Sequence, residues 1–219
     1  MTCWALVPVK ARSEGKTRLN SRLAPLERAE LVRQMLDVVL NALKAAACVN
    51  AIALVSTERD TVPKDIPVLT DTGGGLNAAL SNARDALHLD SGDELIILHA
   101  DLPLINGVDV DALVRAGRRT GFALATDGVG RGTNALYLPA TADFRFHFGT
   151  CSRIRHLDEA ARLGLTPTLV ASPGLTFDVD ESADLDWLMA SHNTHYRSLH
   201  GASAVGDSLW PVWLQSQHG

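Results

Sequence analysis

The amino-acid sequence predicts an α/β protein with three layers, in which helices cover both faces of a mostly parallel β-sheet. Short apolar runs alternate with segments of helical periodicity through the first half of the chain, which is the pattern of β-α-β units. The length of 219 residues suits one domain, or two at most. Hydrophobic residues make up 46% and charged residues 21% of the chain, which is typical of globular proteins.

Strands and helices alternate in the first half of the chain. Apolar runs predict strands at 3–9, 51–56 and 94–99, with a short extended piece at 67–69. Pro25 suits the first turn of a helix. Apolar residues then recur at three- and four-residue steps, at Leu26, Ala29, Val32, Met35, Leu36, Val39, Leu40 and Leu43. The same spacing predicts a second helix with an apolar face of Leu76, Ala79, Leu80, Ala83, Ala86 and Leu87.

The second half is less regular. We expect helices at 108–119, 151–164 and 181–190, and extended segments at 122–126, 135–138, 168–171 and 176–179. In the helix at 151–164 the residues in step are Ile154, Leu157, Ala160 and Ala161. The tail from Ser191 has no clear period. The sequence therefore predicts one α/β domain over 1–190 and a C-terminal extension over 191–219.

Composition excludes several classes of protein. No apolar run reaches the roughly 18–20 residues that a membrane span needs, so no membrane association is expected. A pI near 5.9 argues against a nucleic-acid binder, which usually has a basic face. The first residues form no basic leader, and Cys3, Cys48 and Cys151 lie far apart without a CxxC pair. These features predict a reduced, cytoplasmic protein.

Charge is unevenly distributed along the chain. The first 34 residues hold seven basic and three acidic residues, a net charge of +4, so the remainder carries −9 of the formal total of −5. Lys10, Lys16 and Arg18 lie between the first strand and the first helix, where a loop can fold over a polyphosphate. A solvated basic loop is the alternative interpretation, and the charge pattern leaves both open.

Acidic residues follow the predicted strands, where ligands of open α/β sheets bind. If 176–179 is extended, Asp178 and Asp180 point to one face, and two adjacent carboxylates repel each other unless a cation lies between them. Mg²⁺ suits such a pair, because it takes its other ligands from water and phosphate. Alternatively, Asp180 caps the next helix, and Asp101, at the end of a central strand, is a simple turn residue.

Two glycine-containing turns precede helices and offer backbone N–H groups to an anion. The first is Gly73-Gly74-Gly75, for which a solvent loop is the alternative, and the second is Gly149-Thr150-Cys151-Ser152, for which a plain Ser N-cap is the alternative. Gly15-Lys16-Thr17 is not a P-loop, because Lys10 stands where that motif needs glycine. Gly73, Gly75 and Ala78 match a dinucleotide fingerprint only weakly.

Other chemistries have little support in the sequence. No nucleophilic triad assembles, since Cys151 has no obvious activating partner and is better explained as a small apolar residue. His192, His195 and His200 allow a zinc site on the tail, although a surface tail fits the pattern better.

Seven short motifs in order carry a resemblance over about residues 4–190. They are Trp4–Lys10, Gly15–Leu19, Gly75–Ala79, His99–Leu104, Gly130–Leu136, Phe148–Ser152 and Leu175–Asp180. Together they resemble the guanylyltransferases that activate a small phospho-acid in biosynthesis of the deazaflavin redox coenzyme. Members use 2-phospho-L-lactate, phosphoenolpyruvate or 3-phospho-D-glycerate. The resemblance implies the nucleotide-diphospho-sugar transferase fold.

The resemblance also implies roles for individual residues. Its Mg²⁺-binding positions are Asp101, Asp178 and Asp180, and its phospho-acid positions are Thr133, Gly149 and Ser152. The positions that bind the nucleotide are Pro8, Lys10, Gly75, Leu76, Asn77 and Asp101. Lys10, Lys16 and Arg18 match the basic loop that faces the triphosphate and, with Asp101, are the candidate catalytic residues. Thr126-Asp127-Gly128-Val129 stands where many relatives have Pro-Asp, which leaves the choice of acid open.

The expected reaction is the transfer of GMP from GTP to the phosphate of a three-carbon acid, with release of pyrophosphate. A phosphate oxygen is already anionic at neutral pH, since its second pKa is near ~6, so no general base is needed. The alternatives are a nucleotidyltransferase for a sugar phosphate or a molybdopterin, and a non-catalytic nucleotide-binding protein. The tail segment Trp210-Pro211-Val212-Trp213 is a candidate contact with a second copy, which would give a homodimer.

Overall fold

The computed structural model describes residues 1–10, 16–58 and 63–200, without the side chains of Thr17 and residues 192–200. The predicted contact at Trp210–Trp213 and the histidine side chains of the predicted zinc alternative lie outside the described residues. No helix in the described ranges is long and apolar enough to cross a membrane.

Seven strands form one mixed sheet in the order β3-β2-β1-β4-β6-β5-β7. They are β1 (Cys3–Pro8), β2 (Ala51–Ser56), β3 (Val68–Thr70), β4 (Glu94–Leu98), β5 (Gly121–Ala125), β6 (Ala135–Pro139) and β7 (Thr166–Leu169). Strands β1 to β4 are mutually parallel, β6 is antiparallel to both of its neighbours, and β7 is parallel to β5. The carboxyl ends of β1 and β4 therefore meet at one edge, which places the loops that follow them side by side.

Helices cover both faces of the sheet. They are α1 (Pro25–Ala45), α2 (Leu76–Ala86), α3 (Gly107–Thr120), α4 (Ser152–Arg162), α5 (Pro173–Thr176) and α6 (Ser182–His200). Successive residues of β1 alternate between the layers: Ala5 and Val7 pack with α1 and α3, while Leu6 packs with α2 and α4. The predicted three-layer α/β architecture is confirmed.

A smaller apolar cluster ties the N-terminal loop to the C-terminal helix. Leu19 follows Lys16 closely and packs with Val179 and Leu185, and all three side chains are almost fully buried. Leu31 and Met35 of α1 complete this contact. The cluster holds the segment before α1 against the segment before α6, although more than a hundred residues separate them in sequence.

The structure differs from the sequence prediction in three segments. Of the predicted extended segment at 176–179, Phe177 is extended, but Thr176 instead ends the short helix α5, which is capped because the Ser172 hydroxyl accepts a hydrogen bond from the Leu175 N–H. Strand β7 covers 166–169 rather than 168–171, and α6 continues beyond residue 190 to His200. The predicted helices at α1, α2 and α3 and the strand at β2 are confirmed to within a residue or two at their ends.

Candidate active site

The loops after β1 and β4 meet the segment before α6 at a single lysine. The Lys16 ammonium donates hydrogen bonds to Asp101 Oδ2 at 2.6 Å and to Asp180 Oδ1 at 2.7 Å. A backbone hydrogen bond of 3.4 Å from the Val179 N–H to the Asp101 carbonyl fixes the two acidic segments relative to each other. The structure thus brings together three of the predicted site residues.

Asp178 lies beside the same carboxylates. Burial, followed by the negative charges of Asp101 and Asp180, raises the pKa of Asp178 to about 6. Asn134 donates from Nδ2 to Asp178 Oδ1 at 3.4 Å and to the carbonyl of Leu175 at 3.2 Å. Asn134 therefore positions the turn that carries Asp178, and the three predicted acidic residues form one carboxylate cluster with Lys16.

The electrostatics of the carboxylate cluster depend on Lys16. Burial has the largest single effect on Asp101 and would raise its pKa, but the Lys16 charge, the Lys16 hydrogen bond and other nearby groups together hold that pKa below its usual value. Burial likewise lowers the pKa of Lys16, while Asp101 and Asp180 raise it by more. The ammonium is therefore charged and relieves the repulsion between the two carboxylates at neutral pH.

The donor set suits a hard divalent cation. Asp101 Oδ1 is buried and has no hydrogen-bond partner, so it could accept a ligand such as a cation. The neighbouring carboxylates also raise the pKa of Asp178, an effect that added positive charge would oppose. In the described part of the chain, however, no three His, Cys, Asp or Glu side chains are arranged as a group that could hold a metal ion. Lys16 occupies the space between Asp101 and Asp180 instead, so the Mg²⁺ site stays a prediction.

The other two predicted basic residues lie outside this cluster. Lys10 is exposed just beyond β1, and Arg18 has its Nη1 atom 3.8 Å from Glu181 Oε1, with both side chains largely in solvent. His99, at the end of β4, lies closer: its Nδ1 is 3.9 Å from Asp101 Oδ1. Burial lowers the pKa of His99, so the imidazole beside Asp101 is neutral at neutral pH.

A second group of side chains, which we call the hydroxyl cluster, consists of Thr133, Ser152 and His156. Ser152 Oγ donates to Thr133 Oγ1 at 3.1 Å, and His156 Nδ1 lies 3.0 Å from the same oxygen. Each of these residues is at most 2% exposed. Ser152 is the first residue of α4. Its hydrogen bond to Thr133 brings two of the three predicted phospho-acid residues into contact.

The two predicted glycine turns, before α2 and before α4, share an unusual backbone conformation. Gly73, Gly74 and Gly75 all have φ near +90°, a conformation that L side chains rarely adopt, and Gly75 precedes the first turn of α2. Gly149 has φ of +114° and its carbonyl accepts a 3.1 Å hydrogen bond from the Ser152 N–H. The predicted nucleotide turn and the predicted acid turn are therefore both built on backbone that only glycine adopts readily.

Asn77 joins these two turns. Its Oδ1 accepts from the Phe148 N–H at 2.7 Å, and its Nδ2 donates to the Phe148 carbonyl at 3.1 Å. Both ends of the amide are thus engaged with backbone, next to Leu76, which packs into the core. Pro8, the last residue of β1, is half-buried on the same edge of the sheet.

Similarity to known proteins assigns the family. The family described as "Guanylyl transferase CofC like" matches residues 3–200. A phosphoenolpyruvate guanylyltransferase from Sphaerobacter thermophilus is 41% identical over 192 residues, which cover 86% of this chain and 93% of the relative. The chain belongs to the CofC-like guanylyl transferases.

Further relatives of this guanylyl transferase carry two substrate names. A phosphoenolpyruvate guanylyltransferase from Rubrobacter xylanophilus is 36% identical and covers 90% of this chain and 98% of its own. A 2-phospho-L-lactate guanylyltransferase from Methanothermobacter thermautotrophicus is 34% identical, with 90% and 88% covered. The resemblance predicted from the seven motifs is confirmed at the level of the family.

Solved structures confirm the predicted fold of the guanylyl transferase. A candidate nucleotide-diphospho-sugar transferase from Desulfovibrio desulfuricans superposes with a TM-score of 0.72 at 16% identity, covering 90% of this chain and 91% of the other. A CMP:2-keto-3-deoxy-manno-octonic acid synthetase complexed with CTP gives a TM-score of 0.57 at 12% identity, with 89% and 100% covered. At such low identity the similarity shows the fold alone.

Sequence reasoning missed the roles of two side chains in the guanylyl transferase. Asn134 lies in a motif of the resemblance that implies no role for it, yet it positions Asp178. The apolar spacing along 151–164 does not point to His156, and one of the residues in step, Ile154, is 55% exposed. The buried side of α4 carries Ser152, His156 and Glu159 beside the predicted Ala160, and the spacing of four and three residues between the polar side chains is the signal that could have found them.

Proposed function

We propose that this guanylyl transferase transfers GMP from GTP to the phosphate of a small phospho-acid and releases pyrophosphate. The observation that carries the proposal is that two consecutive residues, Thr133 and Asn134, link the two clusters. Thr133 belongs to the hydroxyl cluster, and the next residue, Asn134, contacts Asp178 of the carboxylate cluster. A phosphorylated acid held at one cluster would thus lie beside a triphosphate held at the other.

The reaction needs positive charge more than it needs a base. A phosphate oxygen of the acid attacks the α-phosphorus of GTP, a new P–O bond forms, and the bond to the β-phosphate breaks so that pyrophosphate leaves. The attacking oxygen is already anionic at pH 7, since the second pKa of a phosphate ester is near ~6. The main barrier is repulsion between two anions, which Lys16 reduces.

We also propose Mg²⁺ as the cofactor, held by Asp101, Asp178 and Asp180. When bound, it would supply charge neutralisation for the phosphates. The unpartnered Oδ1 of Asp101 and the raised pKa of Asp178 support this proposal, because the first is a buried oxygen without a hydrogen-bond partner and the second reflects burial and repulsion by two neighbouring carboxylates. Lys10 and Arg18, on the adjacent exposed loop, are proposed to contact the triphosphate.

Phosphoenolpyruvate is the proposed first choice of acid. The two relatives described above at 41% and 36% identity bear that substrate's name, while the relative at 34% bears that of 2-phospho-L-lactate. The proposed acid contacts are the hydroxyls of Thr133 and Ser152 and the turn at Gly149. 3-Phospho-D-glycerate, the third acid that the resemblance implies, is tested as an alternative substrate.

The proposal is tested by incubating the protein with Mg²⁺, GTP and each of the three acids in turn. We expect pyrophosphate release that requires both GTP and one acid, and a product whose mass equals the acid plus GMP minus water. Parallel reactions with CTP and with a sugar phosphate address the alternative of another nucleotidyltransferase. Nucleotide binding without pyrophosphate release in any reaction would support the non-catalytic alternative and contradict the proposal.

A homodimer is proposed separately, on the tryptophan-containing tail alone. Size-exclusion chromatography with light scattering tests it: the mass of the chain is 23.4 kDa, so a dimer would give twice that value. A mass equal to one chain at micromolar concentration would contradict the proposal without affecting the proposed reaction.

A further inference from the structure

His156 is a buried histidine whose two ring nitrogens both have defined partners. The backbone N–H of His147 donates to His156 Nε2 at 2.8 Å, and His156 Nδ1 lies 3.0 Å from Thr133 Oγ1. The ring packs edge-on against Phe148, with 4.8 Å between ring centroids, and lies 5.8 Å from Phe144. The imidazole is fully buried, so its orientation is fixed by these contacts.

The partner of Nε2 fixes the tautomer. A backbone N–H can only donate, so Nε2 must be the unprotonated nitrogen, and in a neutral ring the hydrogen then lies on Nδ1. The ring is neutral at pH 7, because burial lowers the pKa of His156 to about 3. Nδ1 is therefore a donor, and the Thr133 oxygen accepts its hydrogen bond.

This direction decides what the two hydroxyls can offer to a ligand. Thr133 and Ser152 have one hydroxyl hydrogen each, and only one is used in the contact from Ser152 to Thr133. If Nδ1 were an acceptor, Thr133 would donate its hydrogen to the ring and none would be left. Because Nδ1 donates, one hydroxyl hydrogen stays free for an anionic oxygen.

We propose that His156 is a positioning residue for the phospho-acid, which acts through Thr133 by keeping a hydroxyl hydrogen of the hydroxyl cluster free to donate to the acid. The inference rests on the proposed function for its ligand. His156 itself does not touch the substrate. Its role depends on one hydrogen bond, from Nδ1 to the Thr133 oxygen, and on the neutral tautomer with its hydrogen on Nδ1.

The kinetic test compares two amide variants that each replace one ring nitrogen. In His156→Asn the amide nitrogen replaces Nδ1 and can still donate to Thr133, whereas in His156→Gln the amide lies at the position of Nε2 and cannot reach Thr133. We expect His156→Gln to raise the KM for the acid about 10-fold and His156→Asn to stay within about 3-fold of the unmodified protein. The KM for GTP should be unchanged in both.

The same comparison in a Thr133→Val background distinguishes positioning from general packing. Without the Thr133 oxygen, the Asn and Gln variants should have equal KM values for the acid, because the contact that separates them is gone. Equal effects of the two substitutions in the presence of Thr133, or a parallel rise in the KM for GTP, would overturn the proposal.

A long-range proton–nitrogen NMR spectrum tests the tautomer without any turnover. We expect the His156 ring to be neutral with its hydrogen on Nδ1 near pH 7. A hydrogen on Nε2 or a charged ring would overturn the inference even if GMP transfer occurs. Conversely, the expected tautomer in a protein that transfers GMP to none of the acids would contradict the proposed function and leave the geometry of the hydroxyl cluster intact.

Discussion

The carboxylate cluster and the hydroxyl cluster are linked through the consecutive residues Thr133 and Asn134 but differ in their electrostatics. The first contains Asp101, Asp178 and Asp180 around the ammonium of Lys16, and its members shift one another's pKa. The second is uncharged, because His156 is neutral and its neighbours are hydroxyls. Under the proposed function, charge would reduce the repulsion between two anionic substrates, whereas neutral donors with fixed directions would orient one of them.

The comparison predicts different kinetic signatures for the two clusters. Loss of a group in the carboxylate cluster should affect the chemical step, because repulsion and developing charge are greatest there. Loss of a group in the hydroxyl cluster should affect the KM for the acid, because its contacts are made before the reaction. Conservative substitutions test this difference, because each of them removes a single chemical group.

The largest effect is expected from Asp101→Asn. This change keeps the size of the side chain but removes the charge that pairs with Lys16, and we expect kcat to fall on the order of 10²–10³-fold. The KM for the acid should change little. Asp37→Asn, an exposed change on α1, is the matched control and should be silent. Full GTP-dependent activity of Asp101→Asn would remove the basis for treating the carboxylate cluster as the reaction centre.

The next effect is expected from Lys16→Met, which keeps the length of the side chain and removes its charge. Asp101 and Asp180 then repel each other without compensation, so we expect kcat/KM for GTP to fall on the order of 30- to 100-fold. Lys44→Met removes an exposed lysine paired with Asp65 and serves as the control. Steady-state kinetics at fixed acid concentration measure both, and an effect on the acid alone would contradict the assignment.

The sequence predicted the fold in its first half almost completely, because buried parallel strands and amphipathic helices there have clear periodicity. It also predicted which carboxylates belong together. It predicted an extended segment at 176–179, of which Thr176 instead ends the short helix α5 while Phe177 is extended. The local cap from Ser172 and the long-range hydrogen bonds from Asn134 shape this segment.

Two residues of the hydroxyl cluster, Thr133 and Ser152, were predicted, whereas His156 was not. The pairing of Thr133 with Ser152 came from the family resemblance, whereas His156 lies on a helix face that is polar and buried. Hydrophobic periodicity assigns such a face to solvent. Asn77, which the resemblance assigns to the nucleotide, hydrogen-bonds the backbone of Phe148 at both ends of its amide, and its nucleotide role stays a prediction.

A smaller and more selective effect is expected from Thr133→Val. The methyl group replaces the hydroxyl that receives hydrogen bonds from His156 and Ser152, so we expect the KM for the acid to rise about 10-fold. The KM for GTP should be unchanged, in contrast to Lys16→Met. Thr166→Val on the exposed edge strand β7 is the control. If Thr133→Val instead lowered kcat with both KM values unchanged, the division of roles between the two clusters would be wrong.

The smallest effect on activity is expected from Glu159→Gln, which changes the support of the hydroxyl cluster rather than the cluster itself. Glu159 is 6% exposed, and it accepts hydrogen bonds from Arg162 and from the Arg145 N–H, close to the His147 N–H that holds His156. The Arg162 hydrogen bonds, opposed by burial, lower the pKa of Glu159 to about 2. Because the folded pKa lies below the ordinary value of 4.5, the carboxylate stabilises the fold above that pH and loses its contribution as the pH falls towards about 2.

We therefore expect Glu159→Gln to lower the free energy of unfolding at pH 7 by about 1–2 kcal/mol. The difference from the unmodified protein should shrink steadily once the pH falls below 4.5, the ordinary pKa of the group. Urea unfolding at a series of pH values measures this, and KM for the acid at pH 7 should stay within about 2-fold, since Glu159 contacts neither hydroxyl. A stability difference that is independent of pH would show that packing, rather than the ionised carboxylate, holds this side of α4. A large rise in the KM for the acid would show that the hydroxyl cluster depends on charge after all, which would remove the contrast with the carboxylate cluster.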